Sequence, residues 1–128
     1  MSYADPADEL WCAFCEIAAG RAPATIVREW PDALAIVPRN PVVDGHVLVI
    51  PRKHIAYPDQ DPQVAGMAAT RAAEWAWRQA NGLPSQTDYN LIVNAGPNAS
   101  QTVYHLHWHY VPRRPEDGLT LPWTGQPR

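Results

Sequence analysis

The stretch His105-Leu106-His107-Trp108-His109-Tyr110-Val111 decides how the fold of this chain is interpreted. Three of the five histidines alternate here with large apolar residues, which is typical of a β-strand. Because side chains along a strand point alternately to opposite faces, the three imidazoles are predicted to share one face with Val103 and Val111. The opposite face is predicted to be buried in the core and consists of Tyr104, Leu106, Trp108 and Tyr110.

Three uses of this histidine face compete. A His-x-His pair on one strand can chelate zinc. A neutral imidazole nitrogen can instead attack phosphorus, provided that the other ring nitrogen is held as a hydrogen donor. Neighbouring imidazoles would then neutralise phosphate oxygens or protonate the leaving group. The third interpretation is a polar, exposed face without a chemical role. Composition and spacing do not choose between metal and phosphate chemistry.

The loop before the histidines favours phosphate. Residues 94–102 read Asn-Ala-Gly-Pro-Asn-Ala-Ser-Gln-Thr and are rich in amide and hydroxyl donors. Such a loop can present backbone N–H groups and side chains to an anion. Taken alone, the segment is more typical of an ordinary connection between two strands. Its place directly before three histidines makes an anion site the better interpretation.

The rest of the chain predicts an α+β domain, because β-strands are interrupted by one long helix. The strands are expected at residues 25–30, 33–37, 46–50, 89–93 and 103–111, the first two joined by a turn at Pro31-Asp32. The long helix is expected from Pro62 to Ala80, with Asp61 as its N-cap and Gly82 as its stop. Its predicted buried stripe consists of Val64, Met67, Ala68, Ala72, Trp75 and Ala76, and excludes Trp77. A short N-terminal helix at Phe14–Ala19 is expected to end on Gly20.

Composition narrows the class of partner and the compartment. A formal net charge of -3 and basic runs of only two residues argue against a nucleic-acid polymer or a membrane surface as partner. The apolar stretches are far shorter than the roughly 18 residues of a membrane span. Two cysteines and a polar, acidic N-terminus without a signal-peptide apolar region predict the cytoplasm. A chain of 128 residues is the size of one domain, expected at 12–114 between a loose leader (1–11) and a C-terminal tail (115–128).

The histidine run resembles the signature of the histidine-triad (HIT) family, in which three histidines alternate with hydrophobic residues. The resemblance covers roughly Cys12 to Arg114, and such a set of matches is hard to obtain by chance. The other positions that match in the family's order and approximate spacing are Cys12-Ala13-Phe14-Cys15, Gly20, Pro23, Gly45-His46-Val47-Leu48-Val49-Ile50-Pro51, His54, Tyr89-Asn90-Leu91, Asn94, Gly96, Gln101 and Pro112-Arg113.

Members of this family act on the α-phosphate of nucleotide conjugates. The resemblance therefore implies a small-molecule nucleotide conjugate as substrate, a five-stranded antiparallel sheet with helices, and a homodimer. It implies that His107 is the nucleophile, that it forms a transient nucleotidyl-phosphohistidine, and that a backbone carbonyl fixes its tautomer. His109 would contact phosphate oxygens, and His46 would support the triad from the neighbouring strand. The further implied substrate contacts are Asn94, close to the scissile phosphate, and Gln101 and Thr102, at the transferred phosphate and the leaving group.

Two positions depart from the family's pattern. The acidic residue that binds the ribose hydroxyls in relatives is replaced here by Pro38, which offers neither charge nor donor. The glycine that commonly precedes the glutamine of the loop is replaced by Ser100. A positive φ at that position would make serine unfavourable. The first departure predicts a weaker grip on the ribose.

Cys12-x-x-Cys15 is compatible with a redox pair, a disulfide, half of a metal site or two packed free thiols. A thioredoxin-like motif needs a preceding strand in a βαβ unit, and only a short polar segment precedes Cys12. A tetrahedral zinc site needs two further ligands, for which histidine is the remaining source. The resemblance to zinc-carrying bacterial members implies that His54 and His105 complete the site. Such a Zn²⁺ would be structural, because four protein ligands leave no open position.

The sequence thus predicts an enzyme, a hydrolase or nucleotidyl transferase that acts covalently through His107 on a phosphoric anhydride, phosphoramidate or related conjugate. One alternative is a nucleotide-sensing or scaffolding protein that keeps the fold but has little turnover, which the loss of the acidic residue at Pro38 favours. Another is a zinc hydrolase with its metal on His107 and His109. The leaving group and the base are not specified by the sequence.

Overall fold

The computed structural model describes residues 11–80 and 88–125. Along the chain, the main elements are α1 (Ala13–Ala18), β1 (Ile26–Glu29), β2 (Ala33–Ile36), β3 (Val47–Pro51), α2 (Pro62–Ala80), β4 (Asp88–Val93) and β5 (Trp108–Arg113). The strands form one antiparallel sheet in the order β1-β2-β3-β5-β4, so the last strand is inserted between β3 and β4. The α+β fold with a five-stranded antiparallel sheet, one long helix and a short N-terminal helix is confirmed.

Helix α2 covers one face of the sheet and has the predicted bounds. Asp61 caps it as predicted, since its carboxylate accepts the N–H of Val64 at 3.2 Å. The residues of α2 that are buried are Ala65, Ala68, Ala72 and Ala76. The predicted stripe is therefore corrected: the small alanines allow the helix to lie close to the sheet, so the larger Val64, Met67 and Trp75 flank the contact and are half-buried. Trp77 lies off the stripe and is 66% exposed.

Helix α1 covers the opposite face of the sheet through Phe14, which packs against β2 and β3. The helix begins one residue earlier than predicted, because the Cys12 thiol accepts the N–H of Cys15 as an N-cap. Gly20 ends it as predicted. Its φ of +77° is left-handed, and the N–H groups of Gly20 and Arg21 bond back to the carbonyls of Ile17 and Glu16.

Strand β5 is shorter than predicted, and this corrects the expectation of three histidines on one strand. β5 begins at Trp108, whose register partners are Val49 of β3 and Val93 of β4. Residues 103–107 precede the first paired residue, Trp108, and lie outside the strand. His105 and His107 therefore do not share a strand face with His109. The apolar expectation holds for Leu106 and Tyr110, which are buried, whereas Tyr104 and Trp108 are half-buried.

The bounds of the other four predicted strands differ from the structure by at most one residue at each end. The hairpin turn at Pro31-Asp32 is confirmed, since the Trp30 N–H donates to the Ala33 carbonyl at 2.9 Å. Arg113, the last residue of β5, donates to the carboxylate of Asp117 at 2.8 and 3.1 Å, which fastens the start of the predicted tail to the sheet. Residues 1–10 of the predicted leader and the stop at Gly82 lie outside the described residues. Within those residues, no helix has the length and apolar composition needed to span a bilayer.

Candidate active site

The ring of His107 is nearly enclosed, with 8% of the residue exposed. Its Nδ1 lies 2.8 Å from the carbonyl oxygen of His105. Because a carbonyl oxygen only accepts hydrogen bonds, Nδ1 carries the hydrogen and Nε2 carries a lone pair. Phe14 of α1 packs edge-on against the ring, with the centroids 5.2 Å apart. One nitrogen of His107 is therefore fixed as a donor, and the other has the electronic form of a nucleophile.

The opposite tautomer is imposed on His109 by the segment that leads into β3. The backbone N–H of Val42 donates to Nδ1 of His46 at 3.1 Å, so the hydrogen of a neutral His46 lies on Nε2. This Nε2 lies 3.0 Å from Nδ1 of His109 and donates to it. The hydrogen of His109 is consequently on its Nε2. Since the ring centroids of His107 and His109 are 4.9 Å apart, a ring with an Nε2–H donor lies beside the ring whose Nε2 carries a lone pair.

Burial keeps these imidazoles neutral near pH 7. It lowers the pKa of His109 to about 4, and the nearby His107 and His46 add to this shift. Burial also lowers the pKa of His46 and that of His107, although the hydrogen bond to the His105 carbonyl opposes the shift at His107. A neutral ring is needed for attack on phosphorus, because the protonated form has no free lone pair.

The loop between β4 and β5 is held in place by Gln101, which is buried. Its Oε1 accepts the N–H of Gly96 at 2.7 Å. Its Nε2 donates to the carbonyls of Ala56 and Val103 at 2.9 and 3.1 Å. The amide therefore ties the loop to the segment after β3 and to the chain that enters the triad. A contact of this side chain with phosphate stays a prediction.

The other residues of the loop are placed as follows. Asn94 donates from its side chain to the Ala99 carbonyl at 2.7 Å, which closes the loop on itself. Ser100 has φ +69° and ψ +25°, the left-handed conformation in which serine is unfavourable. Thr102 is exposed and lines a small cavity with Cys12 and His54. The substrate contacts predicted for Asn94 and Thr102, like the ribose role of the position now held by Pro38, stay predictions.

The side chains of Cys12, Cys15, His54 and His105 converge, and among the described residues they form the group that could hold a metal ion. Their ligand atoms all lie within 4.8 Å of one another. Nδ1 of His105 is 3.3 Å from Sγ of Cys12, 3.5 Å from Sγ of Cys15 and 3.2 Å from Nδ1 of His54. Bonds of about 2.3 Å to sulfur and 2.0 Å to nitrogen give tetrahedral ligand spacings of roughly 3.3–3.8 Å. The two thiols and two imidazoles therefore fit a four-coordinate ion.

The surroundings of this cluster also suit a cation. Nε2 of His105 donates to the Pro51 carbonyl at 2.6 Å, which leaves its Nδ1 unprotonated and turned to the other three ligands. Burial and the neighbouring Cys12 thiol raise the pKa of Cys15 to about 11. A pair of adjacent thiolates is thus unfavourable without a positive charge between them, and a bound cation supplies that charge.

Three contributors to the site were not found from the sequence. Phe14 lies between the two cysteines and touches the rings of both His105 and His107, at centroid distances of 5.8 and 5.2 Å. Its position as the large apolar residue of the Cys-x-x-Cys segment was the available signal. The N–H of Val42 and the carbonyl of Pro51 act through the backbone, so no side chain marks them.

Residues 19–116 match the model of the HIT domain family. An adenylylsulfatase of Arabidopsis thaliana is 35% identical over 111 residues, which are 84% of this chain and 55% of that protein. An adenosine 5'-monophosphoramidase of Saccharomyces cerevisiae is 34% identical over 116 residues, 90% of this chain and 71% of that protein. The crystal structure of a Zn-bound histidine triad family protein from Mycobacterium smegmatis superposes with a TM-score of 0.73 at 35% identity, covering 85% of this chain and 79% of that one. The geometry of the three histidines and these matches lead to one conclusion: the chain belongs to the HIT family.

Proposed function

We propose that this protein hydrolyses adenylyl conjugates at the α-phosphate through a covalent nucleotidyl intermediate on His107. The observation that carries the proposal is the 2.8 Å hydrogen bond from Nδ1 of His107 to the His105 carbonyl. It leaves the lone pair of Nε2 for attack on phosphorus. The names of two relatives, an adenylylsulfatase and an adenosine 5'-monophosphoramidase, support a nucleotide hydrolase with an adenylyl group on the transferred side.

In the first step, Nε2 of His107 forms a bond to phosphorus while the bond to the leaving group breaks. The leaving group departs with the bonding electron pair and takes a proton from solvent. Positive charge that develops on the His107 ring is stabilised by its hydrogen bond to the His105 carbonyl. The Nε2–H of His109 donates to a phosphate oxygen, as its tautomer allows. In the second step, a water oxygen forms a bond to phosphorus while the bond between phosphorus and Nε2 breaks. The electron pair returns to Nε2 and the water releases a proton to solvent, which yields AMP and the neutral His107 ring.

Replacement of His107 by Asn tests this mechanism. The amide keeps hydrogen-bonding groups but cannot attack phosphorus, so turnover is expected to be lost while AMP binding is largely retained. Release of AMP from adenylyl sulfate and from adenosine 5'-phosphoramidate measures turnover, and calorimetry measures AMP binding. His109→Asn is the matched control, because it keeps the nucleophile and should still yield a phosphohistidine in rapid-quench mass spectrometry. Near-normal hydrolysis by the His107→Asn variant would refute the covalent mechanism.

We further propose that the ion of the four-ligand cluster is Zn²⁺. Two sulfur and two nitrogen donors in tetrahedral spacing are the typical structural zinc set. When bound, the ion would supply folding energy, since its ligands join α1, the segment after β3 and the chain before β5. Elemental analysis of protein purified without chelator is expected to give one zinc per chain. Absence of zinc from such a preparation would reject the assignment.

A second candidate function is nucleotide binding with little turnover. The observation that favours it is Pro38, at the position where the family resemblance implies an acidic residue that binds the ribose. The two functions differ in one measurement: both predict binding of AMP, but only the hydrolase releases AMP from conjugates in many cycles per protein molecule.

Assembly and compartment complete the proposal. We propose a homodimer in the cytoplasm. β4 is an edge strand with open backbone groups, and Tyr89 on it is 44% exposed, so a second copy of the chain could cover it. Trp77 of α2 is a further exposed apolar residue. Light scattering after gel filtration is expected to give twice the chain mass, and a monomer at micromolar concentration would reject the dimer.

A further inference from the structure

The four-ligand cluster and the site around His107 share one residue, His105. We infer that an ion bound by Cys12, Cys15, His54 and His105 acts on the reaction by positioning the nucleophile, with His105 as the positioning residue. The inference rests on the proposed role of His107. His105 contributes its imidazole to the metal cluster, and its backbone carbonyl accepts the hydrogen bond of His107 at 2.8 Å. Its side chain is completely buried.

The peptide that joins His105 to Leu106 is also held through its N–H group, by the residue that follows His54. The N–H of Leu106 donates to the carbonyl of Ile55 at 2.6 Å. Because a peptide is planar, the N–H of Leu106 and the carbonyl of His105 move as one rigid group. Ile55 directly follows His54, and Nδ1 of His54 lies 3.2 Å from Nδ1 of His105. An ion bound by both imidazoles would therefore hold together the two chain segments between which this peptide is fixed. We call this link the clamp.

The pairing of β5 with its neighbours does not provide this restraint. β5 begins at Trp108, two residues after Leu106, and its pairing with β3 ends at Val49 opposite Trp108. The orientation of the His105 carbonyl thus depends on the hydrogen bond from the His105 ring to the Pro51 carbonyl and on the contact between the segments at residues 54–55 and 105–106. Without the ion, the two rings would be joined at most by one hydrogen bond between their Nδ1 atoms, which lie 3.2 Å apart. The two segments would then be held together less firmly, and with them the carbonyl that binds Nδ1 of His107.

The test compares metal-free and zinc-loaded protein with two readouts. In ¹⁵N spectra of the histidine rings, zinc is expected to convert His107 into a single form with Nδ1 protonated and Nε2 bare. In AMP release from a conjugate, kcat per folded molecule is expected to rise about ten- to a hundredfold, which is the scale of loss for a slightly misplaced reacting group. KM is expected to change much less, since the interaction acts on the nucleophile and not on substrate binding.

A matched pair of variants isolates the clamp. His54→Gln removes one of the four metal ligands and should abolish both responses to zinc. Lys53→Gln alters the adjacent exposed residue, which pairs with Asp61, and should respond as the wild type does. Amide signals of Leu91 and Tyr110 in the paired strands β4 and β5 report the folded fraction. If His54→Gln does not fold, the comparison of metal-free and loaded wild-type protein still decides.

Three results would overturn the inference: His107 ring signals that are identical with and without zinc, an unchanged kcat per folded molecule, or a metal-free chain without any folded sheet. In the last case the ion would hold the whole fold and not this peptide. Failure of the proposed function is separate and would show as no AMP release from loaded wild-type protein, while the ring signals would still report the clamp.

Discussion

Replacement of Gly45 by Ala is expected to destabilise the protein strongly and to displace a supporting histidine. Gly45 has φ +91°, a region in which an L-residue costs about 1–2 kcal/mol. An added Cβ would lie 3.0 Å from Cγ of Pro112 in β5. Because the proline ring cannot rotate away, this contact is an overpacking defect of about 1–3 kcal/mol. We therefore expect Gly45→Ala to lower the free energy of unfolding by about 3 kcal/mol, and His46, the next residue, to shift from His109.

Two other glycines supply the matched controls for urea denaturation. Gly20 also has a positive φ, +77°, but an added Cβ would have no atom within 4 Å, so Gly20→Ala should cost only about 1 kcal/mol. Gly66 lies inside α2 with open space around it, so Gly66→Ala should stabilise by about 0.5–1 kcal/mol. The reduced entropy of the unfolded chain is common to all three changes. If Gly45→Ala costs no more than Gly20→Ala, the contact with Pro112 has no energetic weight and the reasoning is refuted.

Further expected outcomes concern the core, the loop, the pH dependence and the ribose. Leu106→Ala should cost about 3 kcal/mol in urea denaturation, because Leu106 is completely buried against Ile55 and α2; a loss below about 1 kcal/mol would contradict this. Ser100→Gly should stabilise by less than about 1 kcal/mol, because it relieves the left-handed serine. Burial lowers the pKa of His109 to about 4, so the unfolded chain binds more protons than the folded chain between pH 4 and about 6.5. The contribution of His109 to the free energy of unfolding is therefore full above pH 6.5 and is lost as the pH falls towards 4. His109→Asn should flatten this slope in denaturation measured across that range. Conjugates of AMP should be preferred over their 2′-deoxy forms by less than about a hundredfold in kcat/KM. Pro38→Asp should raise that preference, because a carboxylate accepts hydrogen bonds of about 1.5–3 kcal/mol each from the ribose hydroxyls.

Local signals in the sequence predicted the helices well. Asp61 followed by Pro62, and Gly20 after a short apolar run, mark ends that are set by hydrogen bonds within a few residues. The end of a strand is a different kind of property. The alternation of residues 103–111 fits a strand throughout, yet pairing begins only at Trp108, because the register of β3 and β4 decides where partners are present. Such partners are distant in sequence, and periodicity carries no information about them.

The candidate site, too, was only partly predictable from the sequence. The residue types of the triad pointed to phosphate or metal chemistry, and the alternatives stayed open until the family resemblance was used. The cluster joins Cys12 to His105 across 93 positions of sequence, and neither residue's neighbours indicate the other. The contacts of Gln101 show a further limit. A glutamine in a polar loop suggests a ligand contact, whereas three hydrogen bonds to the protein make it a brace for the loop.

The three histidines of the run have the same side chain and a regular spacing, but they differ in which ring nitrogen carries the hydrogen. In each ring, the partner of one nitrogen decides the state of the other. The Pro51 carbonyl accepts the Nε2–H of His105 and leaves a lone pair on Nδ1, inside the cluster of four possible metal ligands. The His105 carbonyl accepts the Nδ1–H of His107 and leaves a lone pair on Nε2. His46 donates a hydrogen bond to Nδ1 of His109, whose own hydrogen is therefore on Nε2. Each assignment depends on a single partner, and two of the three partners are backbone carbonyls that substitution does not remove. His46 is the exception, so His46→Gln is the change that should release the tautomer of one triad histidine while the other two keep theirs.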